Sequence, residues 1–349
     1  MRVALDVSST QSNHQFRGIG FYTERLHKEL AKLTTSNSDF SLVPFSGNIP
    51  KADLYHYPAF SPFFMSFPLH LAKNTIITVH DLIPLEYSKY YPAGLRGTIK
   101  WRLQRHFLKY AKHIITDSET SKRSILKFTD VSKDRVSVVY LAADKIFEPV
   151  VENEVLKSVR DRYQLPEKFA LYVGDMNWNK NIMKLARTCV AMEVPLVVVG
   201  KQAVAESIEV MHPWNTELVK FQLYAKQYPH LIKRLGFVKT PDLVALYNLA
   251  TVLVHPAIVE GFGLTVLEAM QCRCPTIVGD RSSLPEIVGE AALQFNPSSQ
   301  KDLEAAISKV WNNKTLRRKM ADLGQKQAKK FSWEKTALGT LAVYRKVNT

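Results

Sequence analysis

Cysteine is scarce: 349 residues hold three, at positions 189, 272 and 274. An odd, sparse set makes no disulfide framework, and Cys272-Arg-Cys274 has no Cys or His neighbours at zinc-ligand spacing. Three small core residues in a reducing compartment is the reading that remains. Long apolar runs are also absent, none approaching the ~18 residues that span a bilayer. Asp6 stands where a secretion signal needs its apolar centre, so a cytoplasmic location is expected. No D-x-D occurs, which removes the usual carboxylate pair for a metal–nucleotide complex. No His-x-x-His or other metal-ligand spacing stands out, so no metal is expected. The absence of G-x-x-x-x-G-K-[ST] excludes a P-loop NTPase.

What the chain has in excess is positive charge. Lys and Arg number 47 against 32 Asp and Glu, a net of +15, in a composition that is 46% hydrophobic and otherwise that of a folded protein. Such a surplus points to an anionic partner: a nucleic acid, a membrane surface or a phosphorylated ligand. In residues 1–150 the net charge is +7, and the window 86–127 alone accounts for +7. At about 100° per residue, Ile99, Leu103, Phe107, Tyr110 and Ile114 share one helical face, which is expected to turn inward. Arg102, Arg105, Lys109 and Lys112 share the opposite face. That basic face reads either as solvated surface or as a docking surface for an anionic membrane or a lipid-phosphate acceptor. No nucleic-acid-binding signature accompanies it, and no nucleic acid is expected.

Short β-branched runs alternate with longer helical periods. Strands are predicted at 2–7, 75–80, 113–116, 136–140, 169–173, 195–199, 251–255 and 275–278. Helices are predicted at 19–33, 96–111, 182–190, 242–249, 264–271 and 301–312. Continuously apolar strands between helices mean parallel sheets covered on both faces. The series occurs twice, on either side of a charged connector at 151–166. The expected organisation is a first α/β domain over 1–150, a second over 151–332 and a helix over 333–349. That helix either closes the second domain or packs back on the first. Ligands of such sheets bind at the carboxyl ends of the strands, so a cleft between the domains is the expected site.

Four segments carry chemistry. In the first, His255-Pro256 ends a strand, Glu260-Gly261-Phe262-Gly263-Leu264-Thr265 follows, and a helix begins that includes Glu268. Glycines admit close approach of a ligand, and the N–H groups at a helix start suit a diphosphate. Two carboxylates flanking that cradle suit paired sugar hydroxyls; capped helix with solvated glutamates is the plain alternative. The second segment runs from Leu171 through Gly174 to Asn179-Lys180-Asn181, where Lys180 can place a point charge on phosphate. In the third, Arg17-Gly18-Ile19-Gly20 lacks the last glycine of a dinucleotide fingerprint. In the fourth, His80-Asp81 sits at a strand's carboxyl end, where the pair points toward the cleft; a histidine that caps or bridges a loop is the plain alternative.

Together these segments resemble the retaining, nucleotide-sugar-dependent glycosyltransferases of family 4, the glycosyl transferases group 1. The motifs that carry the resemblance are G-I-G-F-Y-T, the strand-end H-D, L-Y-V-G-(x)5-K-N, L-G-F-V and H-P-(x)3-E-G-F-G-L-(x)3-E-A-M. The resemblance implies the GT-B architecture, two Rossmann-like domains facing across a cleft. It implies that Glu260 contacts the transferred sugar and that Gly261 to Thr265 hold sugar and diphosphate. Glu268 would bind the ribose, Lys180 would neutralise the departing diphosphate, and His80 would sit beside the sugar. Gly18 and Gly20 would close over the phosphates, Gly174 would line the donor site, and Gly236-Phe237-Val238 would hold the base. Asp81 and the basic face would lie on the acceptor or membrane side.

One position departs from the pattern: Asn179 stands where the family often has arginine, which leaves phosphate charge to Lys180, helped by Lys184, Lys201 or Arg17. The second-domain K-N and S-L-P-E forms lean toward mannosyl- and rhamnosyltransferases. The expected donor is therefore GDP-mannose, with UDP-hexoses next, and no other cofactor. The expected acceptor is a glycan or lipid-linked glycan, reached by an enzyme peripheral on the inner membrane face. The rival from another class is a non-enzymatic basic protein that binds nucleic acid or membrane.

Overall fold

A computed structural model describes residues 1–11, 18–36, 39–67 and 74–348. The chain divides into two units, Met1–Ala142 with Phe331–Thr349, and Ala143–Lys330.

The first unit opens with strand β1 (Arg2–Asp6), helix α1 (Gly18–Ser36), then β2 (Ser41–Phe45), β3 (Leu54–Tyr57) and β4 (Thr75–Thr78). It continues with α2 (Ile83–Glu86), α3 (Gly94–Leu108), β5 (His113–Thr116), α4 (Glu119–Phe128) and β6 (Val136–Val138). The six strands form one parallel sheet in the order β2-β1-β3-β4-β5-β6. Ile76, Ile77, Ile114 and Ile115 are wholly buried at its centre, as continuous apolar character requires of strands covered on both faces.

The second unit holds α5 (Asn153–Arg162), β7 (Ala170–Val173), α6 (Ile182–Ala191), β8 (Leu196–Val199), α7 (Thr216–Gln227), β9 (Ile232–Gly236) and α8 (Thr240–Leu249). It goes on with β10 (Val252–His255), α9 (Leu264–Gln271), β11 (Thr276–Gly279), α10 (Leu284–Val288), β12 (Leu293–Phe295), α11 (Gln300–Trp311) and α12 (Lys314–Ala328). Its sheet is also parallel and six-stranded, in the order β12-β11-β10-β7-β8-β9. The last helix, α13 (Trp333–Asn348), returns to the first unit and packs on α1. Its Tyr344 is fully buried and bonds the His56 ring at 2.7 Å.

The structure corrects the reading of the basic segment. Helix α3 ends at Leu108, so Ile114 belongs to strand β5 and not to the helical face. Ile99, Leu103 and Tyr110 are exposed, while Gly97, Gln104 and Leu108 turn inward. The cause is Gln104. Its side-chain amide donates to the Ser61 and Pro62 carbonyls at 2.8 and 3.1 Å, and its oxygen accepts from the Ser66 backbone N–H at 2.9 Å. These bonds satisfy the backbone of a loop that packs on the helix, and a leucine there would leave those groups unpaired. Gly97 allows the Phe63 ring to approach the same face. All four predicted basic residues are exposed, with Arg105 and Lys109 both paired to Asp130 at 3.1 and 2.9 Å.

Candidate functional site

The carboxyl ends of β7, β8 and β9 each finish in glycine: Gly174, Gly200 and Gly236. The Gly174 N–H donates to the Val199 carbonyl and the Gly200 N–H to the Gly236 carbonyl, so the three lie side by side. A Cβ on Gly200 would collide with the Gly174 carbonyl oxygen. Gly236 is followed by Phe237, 58% exposed with the Lys201 ammonium over its ring at 5.1 Å, and by buried Val238.

Next along the sheet, β10 ends in His255, and the loop after it carries Glu260. Two braces fix that loop. Asn179, buried, donates through Nδ2 to the Val259 carbonyl at 3.0 Å and accepts at its own carbonyl from the Ile258 N–H at 2.8 Å. From the other side the hydroxyls of Ser282 and Ser283 both donate to the Glu260 carbonyl, at 2.6 and 2.9 Å. Asn179 is therefore a brace for the loop, which is what this residue does where an arginine is expected. Asn181, in the left-handed region at φ 56°, ties the neighbouring segment to the Pro256 and Pro297 carbonyls.

The braces bring three side chains together. Lys180 Nζ lies 2.5 Å from Glu260 Oε2, and His255 Nε2 lies 3.0 Å from the same oxygen. Burial pushes the Glu260 carboxyl up, but the Lys180 ammonium and the His255 hydrogen bond outweigh it and hold the group well below the usual carboxylate range. Glu260 is thus a fixed anion. His255 is 2% exposed, and among the described residues its Nδ1 has no hydrogen-bond partner. Sequence reasoning used His255 only as a strand end; a histidine five residues before the first glutamate was the signal that it missed.

Directly after Glu260, Gly261 and Phe262 are buried, and Gly263 turns the chain into α9 at φ 106°, where a side chain would be strained. Leu264 and Thr265 form the first turn of that helix, whose N–H groups and positive dipole end suit an anion. Glu268 lies one turn further and accepts from the Tyr247 hydroxyl at 2.9 Å. Burial raises its carboxyl from 4.5 to about 7.

A raised carboxyl favours the folded state while protonated, and that contribution is lost as pH rises through about 7. Glu268→Gln keeps an acceptor for Tyr247 and removes the ionisation. The shift corresponds to about 3 kcal/mol at pH 8.5. Thermal melts should therefore show the variant gaining about 5 °C or more over wild type at pH 8.5, and nothing comparable at pH 4. Equal differences at both pH values would refute the assignment.

Two expected helpers are otherwise occupied: Lys184 Nζ donates to the Pro297 carbonyl at 2.7 Å, and Lys201 covers Phe237. Arg17 lies outside the described residues. Gly18 and Gly20 open α1 in the first unit, with open space beside Gly18.

His80 also belongs to the first unit, but its carboxylate partner is not Asp81. Asp81 Oδ1 accepts from the Ile83 N–H at 3.0 Å, a local turn contact just before α2. The carboxylate beside His80 is Asp117, at 2.6 Å from Nδ1, and Nε2 faces the Pro58 carbonyl at 3.2 Å. Burial pulls the imidazole down, but Asp117, with smaller help from Asp81 and Pro58, raises it overall. The Tyr22 ring meets His80 edge-on, with centroids 4.7 Å apart. Behind it, Tyr22 Oη, Thr78 Oγ1, His56 and Tyr344 Oη form a continuous hydrogen-bonded chain. Burial, with help from His80, lowers His56 to about 3, so its ring is neutral and bridges donor and acceptor.

A family model described as Glycosyl transferases group 1 matches residues 158–327, and one described as Glycosyltransferase Family 4 matches residues 46–145. The O-antigen chain mannosyltransferase B of Escherichia coli is 29% identical over 299 residues, 84% of this chain and 74% of that protein. The serotype-specific mannosyltransferase WbdA of Escherichia coli is 28% identical over 76% of this chain, which spans only 32% of WbdA's length. Among solved structures, the sucrose-phosphate synthase of Thermosynechococcus elongatus superposes with a TM-score of 0.76 at 18% identity, covering 99% of this chain and 98% of that one. That likeness, with the two parallel sheets, shows the GT-B fold.

Proposed function

The chain belongs to the family 4, group 1 glycosyltransferases, and on that premise we propose that it is a retaining mannosyltransferase using GDP-mannose. The acceptor is a hydroxyl of a glycan, carried on a lipid, and the enzyme works as a peripheral protein at the cytoplasmic membrane face. The observation that supports this reading best is the cluster of Lys180, Glu260 and His255 beside the start of α9 at the sheet's carboxyl ends. The mannosyltransferase relatives support the choice of sugar.

The chemistry follows from the charges. When the sugar–phosphate bond breaks, negative charge develops on the diphosphate. Lys180 and the N–H groups opening α9 are preorganised for it, so this account needs no metal. Positive charge develops on the sugar ring, and Glu260, held as a carboxylate, is suited to it. The acceptor hydroxyl attacks from the face that the diphosphate leaves, and a phosphate oxygen takes its proton. Glu268 holds the ribose hydroxyls and the Gly236-Phe237-Val238 turn holds the base.

Transfer from GDP-mannose should persist in EDTA and give a product with the donor's anomeric configuration, read by NMR. Loss of transfer on chelation with rescue by Mg²⁺, or an inverted product, would sink these two parts of the reading.

A further inference from the structure

Helix α3 presents to solvent the apolar residues that a soluble surface has least use for. Leu95 is 80% exposed, Ile99 51% and Leu103 44%, and Phe64 of the neighbouring loop is 61% exposed. Spaced four apart, the three helical residues form one stripe. At about 100° per residue it runs along the side opposite Gly97, Gln104 and Leu108, which face the core. The stripe has cations on both flanks. Arg96 and Lys100 lie on one side, with the Lys100 ammonium 5.6 Å from the centroid of the Phe64 ring. Arg102 lies on the other. Among the described residues Arg96, Lys100 and Arg102 form no ion pair.

An apolar stripe one helix long, edged by Lys and Arg, is the form that lies in a bilayer interface. The side chains enter the acyl boundary and the cations meet anionic headgroups. We propose that this face of α3, with Phe64, docks the protein on an anionic lipid bilayer by shallow insertion of Leu95, Ile99 and Leu103. Charge selects this occupant. A second copy of the chain would set one +7 segment against another, and like charges oppose that contact. Nucleic acid would use the cations but gain nothing from the central stripe. Among the described residues no helix is long and apolar enough to cross a membrane, so the contact is at the surface. This surface deepens the proposed peripheral residence. Its test needs no donor, so its failure and that of the transferase reading are distinguishable.

Flotation of the full chain with vesicles of phosphatidylcholine, alone or mixed with phosphatidylglycerol, tests it. Wild type should float with the mixed vesicles only, and less as salt rises. Arg96→Gln with Lys100→Gln should weaken binding about 25-fold, near fivefold for each cation. Ile99→Ser with Leu103→Ser should weaken it at least tenfold, because the stripe inserts. Both variants should melt like wild type, their side chains lying on the surface. Equal flotation with neutral vesicles would overturn the proposal. So would undiminished binding by the serine variant, a wild-type dimer that this variant dissociates, or binding to DNA but not to vesicles.

Discussion

Lys180→Ala should lower kcat/KM with the nucleotide sugar by about 10² to 10³-fold, and Glu260→Gln should do nearly as much. Both follow from one geometry. The ammonium and the carboxylate are 2.5 Å apart and largely buried, the carboxylate on a loop braced by Asn179 and Ser282 and the ammonium on the residue after Asn179. Lys180 supplies the ammonium at this carboxylate, and His255 is the other side chain that the same oxygen meets. Neither of the nearby lysines can replace it without leaving its own partner. Breaking a buried pair also leaves a charge uncompensated, so each single variant should be less stable. The double variant Lys180→Met with Glu260→Gln separates the effects. It should recover much of the melting temperature and none of the activity, and the two activity losses should be far from additive. Recovery of transfer along with stability would mean that the pair is structural only.

The second large effect belongs to His80. Both ring nitrogens face acceptors, Asp117 at 2.6 Å and the Pro58 carbonyl at 3.2 Å, an arrangement that favours the protonated ring. His80→Gln should lower kcat/KM about 10²-fold if the ring stands beside the transferred sugar. Asp117→Asn tests how the ring is held. With its pKa raised above the unfolded value, His80 contributes stability that is full below about 6.5 and is lost as pH rises through the folded value. Removing the Asp117 charge lowers that folded value, so the alkaline limb of the pH–rate profile should move to lower pH. An unmoved limb would show that Asp117 does not set the ionisation that the reaction uses.

The sequence carried some parts of this protein openly. Strands with unbroken apolar character, such as Ile-Ile at 114–115 and Val-Val at 197–198, were legible because burial on both faces leaves no room for alternation. The strands missed are mostly edges. β2, β9 and β12 each lie at a sheet margin, where Pro44, Lys233, Arg234 and Gln294 face water on one side and break the pattern. β3 is interior, yet its His56 looks polar. It is buried because Tyr344, 288 residues away, and Thr78 satisfy both ring nitrogens. Glu260 and Lys180 were legible from their glycine-rich surroundings. Asp117 was not, because a partner 37 residues away has no local signature; His255, five residues before Glu260, reads from sequence only as a strand end. The orientation of α3 was misread for a related reason: one buried Gln104, bonded to a loop, overrides the hydrophobic period of the helix.

The central claim is that the second unit's strand ends hold a nucleotide sugar through Lys180 and Glu260. Thermal shift of the full chain with GDP-mannose, UDP-hexoses and the free nucleotides, compared between wild type and Lys180→Ala, tests it most directly. Saturating GDP-mannose, at about 100 times its Kd, should stabilise wild type by about 2.7 kcal/mol, and most of that shift should vanish in Lys180→Ala measured against its own ligand-free melt. No shift with any nucleotide sugar, or an undiminished shift in the variant, would contradict the account.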